Sequence, residues 1–198
     1  MLQIIILAAT ALLVGIDQLT KWLAVEYLQE GEPFPIIDGV FELLLHKNPG
    51  AAFGLFEGQR WLFMGITVVV IVVLAAILMS GKYRQYRLVN LSGTLIIAGG
   101  IGNMIDRVRL GHVIDFLYFR LIDFPIFNFA DCCVVIGALL LLIFFFFIYN
   151  EDKNGLDKKA GRRDKAALES AESAAEEETR DAGATDIGAG EGKDGSEA

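Results

Sequence analysis

Apolar residues along this chain gather into four long runs, at about residues 2–28, 61–79, 88–104 and 127–149. At 1.5 Å of rise per residue, each is long enough as a helix to cross about 30 Å of hydrocarbon. The pattern predicts an all-α membrane fold, a bundle of four transmembrane helices. Ala9-Thr10-Ala11 has the small-residue look of a signal-peptide cleavage site. The apolar run before it is short, no basic stretch precedes it and hydrophobic residues continue beyond it, so the first run is expected to stay as a helix. The two longer connections, at about 29–60 and 105–126, are not plain polar loops. Segments 39–45 and 113–119 are β-prone, bounded by Gly, Pro and Asp, and too short to span as helices. A small sheet or cradle on the outer membrane surface is the expectation.

Lys and Arg near the ends of the runs set the orientation. Lys82, Arg84 and Arg87 lie between runs two and three, and Lys153, Lys158, Lys159, Arg162, Arg163 and Lys165 follow run four. Those belong inside, which makes both termini cytoplasmic and turns the two long connections outward. Arg107, Arg109 and Arg120 in the second outer connection run against this bias.

Composition divides the chain in two. Of its 198 residues 54% are apolar, yet the net charge is −8, because most of the excess acid lies beyond residue 150. Residues 1–150 read as a membrane domain. Residues 151–198 are rich in Ala, Gly, Glu and Asp, lack aromatic residues and have nothing to bury, so a disordered cytoplasmic tail is expected, with a transient helix over 166–178. Cys132 and Cys133 are adjacent, about 100° apart on a helix, and read as small apolar packing rather than metal ligands. His46 and His112 are the only histidines, too few for a zinc site or a histidine triad of ordinary form.

Ionisable groups inside spans cost roughly 2.5–3.5 kcal/mol on insertion scales, so each needs a reason. With the orientation above, Asp17 and Lys21 fall in the outer half of run one, and Asn103, Asp106 and Arg107 at the outer end of run three. Asn128 and Asp131 fall in the first turns of run four, with Asp115 and Asn48 in the outer connections. All share one level, at the outer membrane boundary. Each also has a plain structural reading. Asp17 and Lys21 are four apart and can neutralise each other; Asn103 and Arg107 share a helix face, and Asp106 can pair with a nearby Arg. Asn48-Pro49-Gly50 is a turn signal by itself.

Asp115 and Asp131 are harder to place so. Asp131 has no local basic partner, and a helix N-terminus stabilises an exposed carboxylate by only about 0.3–1 kcal/mol. Asp115 is flanked by Val113, Ile114 and Phe116. If the loop folds back on run four, the two carboxylates meet, and two acids in a poorly solvated site divide into one protonated and one charged. The charged one can take a proton from water attacking a peptide carbonyl, while the protonated one hydrogen-bonds the carbonyl oxygen. That chemistry requires no metal, nucleophilic serine or cofactor. Paired acids in membrane helices also relay protons or bind cations, so a small proton- or cation-coupled transporter is the alternative. It predicts inverted repeats or broken spans at the midplane, and the sequence has no repeat.

Five blocks carry a resemblance: Asp17-Gln18-Leu19-Thr20-Lys21, Asn48-Pro49-Gly50-Ala51-Ala52-Phe53-Gly54, Gly99-Gly100-Ile101-Gly102-Asn103-Met104-Ile105-Asp106-Arg107, Val113-Ile114-Asp115-Phe116 and Phe127-Asn128-Phe129-Ala130-Asp131. In kind and order they resemble the signature blocks of bacterial lipoprotein signal peptidases (signal peptidase II, the aspartic peptidases of family A8). The resemblance covers all four runs and leaves out the tail, whose length and acidity depart from the compact ending expected of that family. It implies a membrane aspartic endopeptidase of the bacterial inner membrane, with Asp115 and Asp131 as the catalytic pair. Asp17, Lys21, Asn48, Gly54, Asn103, Asp106, Arg107 and Asn128 would support the site or contact substrate. It implies a prolipoprotein substrate carrying diacylglycerol on the cysteine after the cleavage site, contact with membrane lipid, inhibition by globomycin, no cofactor, no nucleic-acid partner and a monomer.

Overall fold

A computed structural model describes residues 1–50 and 60–149. Gly54 and the tail, with its expected helix at 166–178, lie outside the described residues. Residues Met1–Phe146 form one compact unit. The helices are α1 (Leu2–Tyr27), α2 (Arg60–Met79), α3 (Arg87–Arg109) and α4 (Phe129–Ile143), the last continued by π-helical turns over Phe144–Tyr149. Between α1 and α2 come strands β1 (Phe34–Ile37) and β2 (Phe41–Asn48); between α3 and α4 come β3 (Val113–Tyr118) and a 3-10 turn (Arg120–Ile122).

Among the described residues, three helices are long and apolar enough to cross a membrane: Leu2–Tyr27, Arg87–Arg109 and Phe129–Tyr149; α2 contributes a shorter apolar stretch, Met64–Met79. The third run corrects the expected boundary. Its helix does not stop at residue 104 but continues to Arg109, so Asp106 and Arg107 are helical and the connection begins at Leu110. The extension costs little hydrophobic match because Arg107 and Arg109 sit in the last turn, where cations favour a helix C-terminus.

Helix α3 is the centre of the bundle. Its apolar window is 61% buried, against 17% for α1 and for α4, whose outward faces present Leu, Ile, Val and Phe. Lipid is as apolar as those faces, so helices in a membrane associate through close packing and polar contacts. Small residues on α3 permit the approach. A side chain at Gly99 would overlap the backbone carbonyl of Ala130 and stand 2.8 Å from Val134 Cγ2 on α4, and one at Gly102 would overlap the Asp17 carboxylate on α1.

The expected sheet is present, with one strand more than foreseen. It is antiparallel in the order β1-β2-β3. The unforeseen β1 carries Pro35, which cannot donate to a ladder, and it lies where such a strand is tolerated, at the edge. Asp38-Gly39 with Gly39 at φ +70° closes its hairpin to β2. In the inner pair His46 stands opposite Asp115 and Asn48 opposite Val113, with a register shift between Leu43 and His46. Leu45, Ile114 and Phe116 pack with Ala24 of α1, which fixes the sheet to the end of the bundle.

Gly99→Ala should push α4 from α3 and destabilise the fold by about 1–3 kcal/mol, read as a lower thermal unfolding midpoint in detergent. Gly65→Ala, where nothing among the described residues lies within 4 Å, should not lower the midpoint. Equal midpoints for the two variants would contradict the packing described.

Candidate active site

The polar residues at the sheet end of the bundle form one connected network. Lys21 Nζ is 2.9 Å from Asp17 Oδ2, 2.9 Å from Asp106 Oδ2, and donates to Asn103 Oδ1 at 2.9 Å. All three charged residues are buried. Two carboxylates against one ammonium leave a net negative charge, which in a low-dielectric site needs further donors. They are supplied by the Gln18 side-chain amide, which donates to Asp17 at 3.1 Å and to Asp106 at 3.0 Å, and by two backbone amides. Ala130 N–H donates to Asp17 Oδ1 at 3.0 Å, and Ile114 N–H donates to Asp106 Oδ2 at 3.2 Å. The i, i+4 pairing of Asp17 with Lys21 is as expected. The Arg partner expected for Asp106 is replaced by Lys21, because the α1–α3 contact brings that ammonium closer than any Arg on its own helix.

The two backbone donors have a consequence for the candidate acids. Ile114 immediately precedes Asp115 and Ala130 immediately precedes Asp131, so the ion cluster holds both acids by the residue before each. Asp115 is 1% exposed. Its Oδ2 accepts from the Asn48 amide at 2.9 Å and its Oδ1 from the Asn128 amide at 2.6 Å. Asp131 is half-buried in the first turn of α4. It completes a capping box: its Oδ2 accepts from Asn128 N–H at 3.1 Å, while Asn128 Oδ1 accepts from Asp131 N–H at 3.0 Å. The Asn103 amide donates to Asp131 Oδ1 at 2.8 Å, and the Asn128 amide donates to Asn103 Oδ1 at 3.0 Å. Asn103 and Asn128 thus tie the two carboxylates to each other and to Lys21.

Asn48 is both the turn residue and a site residue. Its Oδ1 accepts from Gly50 N–H at 3.0 Å, which leaves its amide free to face Asp115. Arg107 donates to its own helix at the Asn103 carbonyl, 3.4 Å away, and lies beside both acids. Asp115, Asp131, Arg107, Asn103 and Asn48 open on one cleft of about 1220 Å³. Cys133 is buried as expected of packing, but Cys132 lines the cleft beside Asp131, a correction that follows from its 100° offset on α4.

Sequence reasoning overlooked Gln18, a neutral amide between two singled-out acids, and the buried Glu42, which pairs with Arg120 at 2.8 Å. The signal for Glu42 was available: an acid within the apolar first half, residues 41–45, of a β-prone segment. Arg120, read only as an exception to the charge bias, is its partner.

Burial pushes the Asp115 carboxyl up to about 7. The Asn48 amide opposes the rise, the charge of Asp131 adds to it, and the Asn128 amide and Lys21 oppose it. An acid whose folded-state value lies above the unfolded one holds its proton longer in the folded chain, so its contribution to stability falls as pH rises from about 4 to about 7. Asp115→Asn removes that dependence. The difference in unfolding midpoint between variant and wild type should therefore widen in the variant's favour from pH 4 to pH 7 and stay level above. A difference independent of pH would contradict the assignment.

Comparison with known proteins gives concordant matches. The family described as "Signal peptidase (SPase) II" matches residues 9–147. The lipoprotein signal peptidase of Brevibacillus brevis is 44% identical over 125 residues, covering 63% of this chain and 83% of that protein. That of Halothermothrix orenii is 48% identical over 120 residues, covering 61% and 80%. Two solved structures, each described as a bacterial membrane enzyme determined by the in meso method, superpose with TM-scores of 0.64. One is 32% identical and covers 70% of this chain and 85% of its own; the other is 31% identical and covers 72% and 93%.

Proposed function

Because the chain belongs to the signal peptidase II family and is a membrane protease of that kind, we propose that Asp115 and Asp131 are its catalytic pair. That membership displaces the transporter reading. The observation that carries the proposal is the pair of carboxylates, one fully buried and one half-buried, joined through Asn103 and Asn128 and facing one cleft. Asp115, with its raised value, holds the proton and hydrogen-bonds the scissile carbonyl oxygen as it turns tetrahedral. Asp131, nearer the open cleft, is charged and takes the proton from the attacking water. The proton then passes to the leaving amine, and the pair returns to its starting state.

The substrate is a prolipoprotein with diacylglycerol on its cysteine, cut on the amino side of that residue. Two acyl chains hold such a cysteine at the lipid boundary, since each buried CH₂ contributes about 0.8 kcal/mol. The acids sit at the sheet end of the helices, the depth such a substrate requires. Its signal peptide arrives as a helix with its amides paired internally, so the strand unwound at the scissile bond needs polar partners. Asn48, Asn103 and Arg107 supply them; Asp17, Lys21, Asp106 and Asn128 hold the acids in place. Residues 1–150 act as the peptidase body with four spans, α2 included, in the cytoplasmic membrane. Both termini are inside, the sheet is outside, and the tail takes no part in catalysis. The chain works as a monomer and is blocked by globomycin.

The test is cleavage of a diacylated prolipoprotein by the purified full chain. Asp115→Asn and Asp131→Asn should each lower turnover by about 10²–10⁴-fold or more while still folding. Wild-type turnover should fall as pH rises through about 7, as Asp115 loses its proton. Appreciable cleavage by either variant would defeat the pair mechanism. Arg107→Ala should raise KM about tenfold, the order of one charged hydrogen bond, with a smaller change in kcat; unchanged KM and kcat would remove Arg107 from the substrate.

A further inference from the structure

The cleft has two apolar borders that leave the acids in different directions. One runs down α4, where Val135 and Ile136 stand one turn beyond Asp131 and Cys132 on the same helix face. The other is the segment between the 3-10 turn and α4, where Phe124, Ile126 and Phe127 line the cleft on the sheet side. This second border is built as a wall. Phe127 is laced to β3: its carbonyl accepts from Phe116 N–H at 3.0 Å and Leu117 N–H at 2.8 Å, and its own N–H donates to Leu117 O at 3.0 Å. Its ring stacks on Phe119 at 5.9 Å between centroids, with Phe41 behind at 4.9 Å from Phe119, and meets Phe124 edge-on at 5.7 Å. Asp123, at φ +48°, turns the chain there and accepts from the Tyr118 hydroxyl at 2.6 Å. Phe124 nevertheless remains 47% exposed. An aromatic ring held so firmly and left half open has contact area to offer.

Resting on the peptidase reading above, we propose that Phe124 and Phe127 receive the first methylenes of the acyl chains on the substrate cysteine, and so select for the lipidated substrate. Cleavage on the amino side of that cysteine puts the signal peptide on one side of the acids and the modified residue on the other. The α4 border runs toward the membrane interior, the side from which the signal-peptide helix comes. The modified residue then falls against the sheet-side wall. An unlipidated residue there would need no apolar wall, since the mature chain continues toward water; a diacylglyceryl group does. The wall is continuous with the acids, so one cleft reads the lipid and the peptide bond together.

The experiment compares kinetics of the full chain on two versions of one prolipoprotein peptide, with long acyl chains or with two-carbon acetyl groups in their place. Wild type should favour the long-chain substrate through KM. Phe124→Ala should raise KM for that substrate about tenfold, the scale of lost aromatic burial, leave kcat within about twofold and leave the acetyl substrate nearly unaffected. Phe124→Leu should recover most of the preference. If Phe124→Ala leaves the long-chain KM unchanged, or raises both KM values equally, the wall does not read lipid. Should Phe124→Ala fail to fold, the polar variant Phe124→Gln decides in its place: a KM loss confined to the long-chain substrate supports the proposal, and none refutes it. Failure of wild type to cut either substrate would instead overturn the peptidase reading, which separates the two failures.

Discussion

One ammonium shared by two buried carboxylates governs the arrangement of this chain. Lys21 reaches Asp17 and Asp106 at 2.9 Å each, and the cluster lies where α1, α3, β3 and the start of α4 converge. Apolar surface cannot choose among helix packings inside lipid, so the polar contacts at this end supply most of the discrimination. A buried ion pair with one partner missing costs several kcal/mol, and here the partners are drawn from four elements: Asp17, Gln18 and Lys21 from α1, Asn103 and Asp106 from α3, and one backbone amide each from β3 and α4. The cluster is satisfied only when α1 stands against Gly102 of α3, β3 presents the Ile114 amide and α4 presents the Ala130 amide. Fold and site are therefore one constraint.

The asymmetry of the two acids follows from the same contacts. Asp106 holds the start of β3 against the end of α3 through the Ile114 amide, and Asp115, the next residue, is almost completely buried. Asp17 draws the start of α4 inward by Ala130, yet Asp131, one residue further round the helix, turns to the cleft. The capping box then gives the Asp131 carboxylate one donor, the Asn128 N–H, whose geometry is set by the helix terminus itself, and the Asn103 amide on α3 supplies the second. One acid is surrounded by protein and the other faces the cleft, and the burial that raises Asp115 comes from this difference in placement.

Much of this was legible in the residues. Hydropathy located all four helices, because a run of 17 or more apolar residues has few other uses, and the shared level of the polar residues followed from the runs and the charge bias. What was not legible depended on contacts across the chain. The end of α3 was placed early because Ile105-Asp106-Arg107 reads as a polar terminus, whereas Lys21 makes Asp106 affordable inside. Strand β1 was hidden by Pro35 within it and Pro33 just before it, which signal a loop until an edge position is known. Gln18 was passed over because a neutral amide beside charges acquires meaning only through distant partners; Glu42 stood out in its apolar segment, but its pairing with Arg120 depends on a contact across the chain.

The close approach at Gly102 shows how remote packing reaches the chemistry. A side chain there would displace the Asp17 carboxylate; Asp17 holds Ala130, and Ala130 carries Asp131. The spacing of α1 and α3 is thus transmitted, through one hydrogen bond and one peptide bond, to the position of an acid on a third helix. The Gly99 contact with the Ala130 carbonyl sets the other boundary of the same residue, from the opposite side of its peptide group. Ala130 is confined between a carboxylate that holds its N–H and a glycine that admits its C=O. With so little freedom left to the residue before it, Asp131 is held at a fixed place on the cleft, and the small residues of α3 set that place without touching the carboxylate.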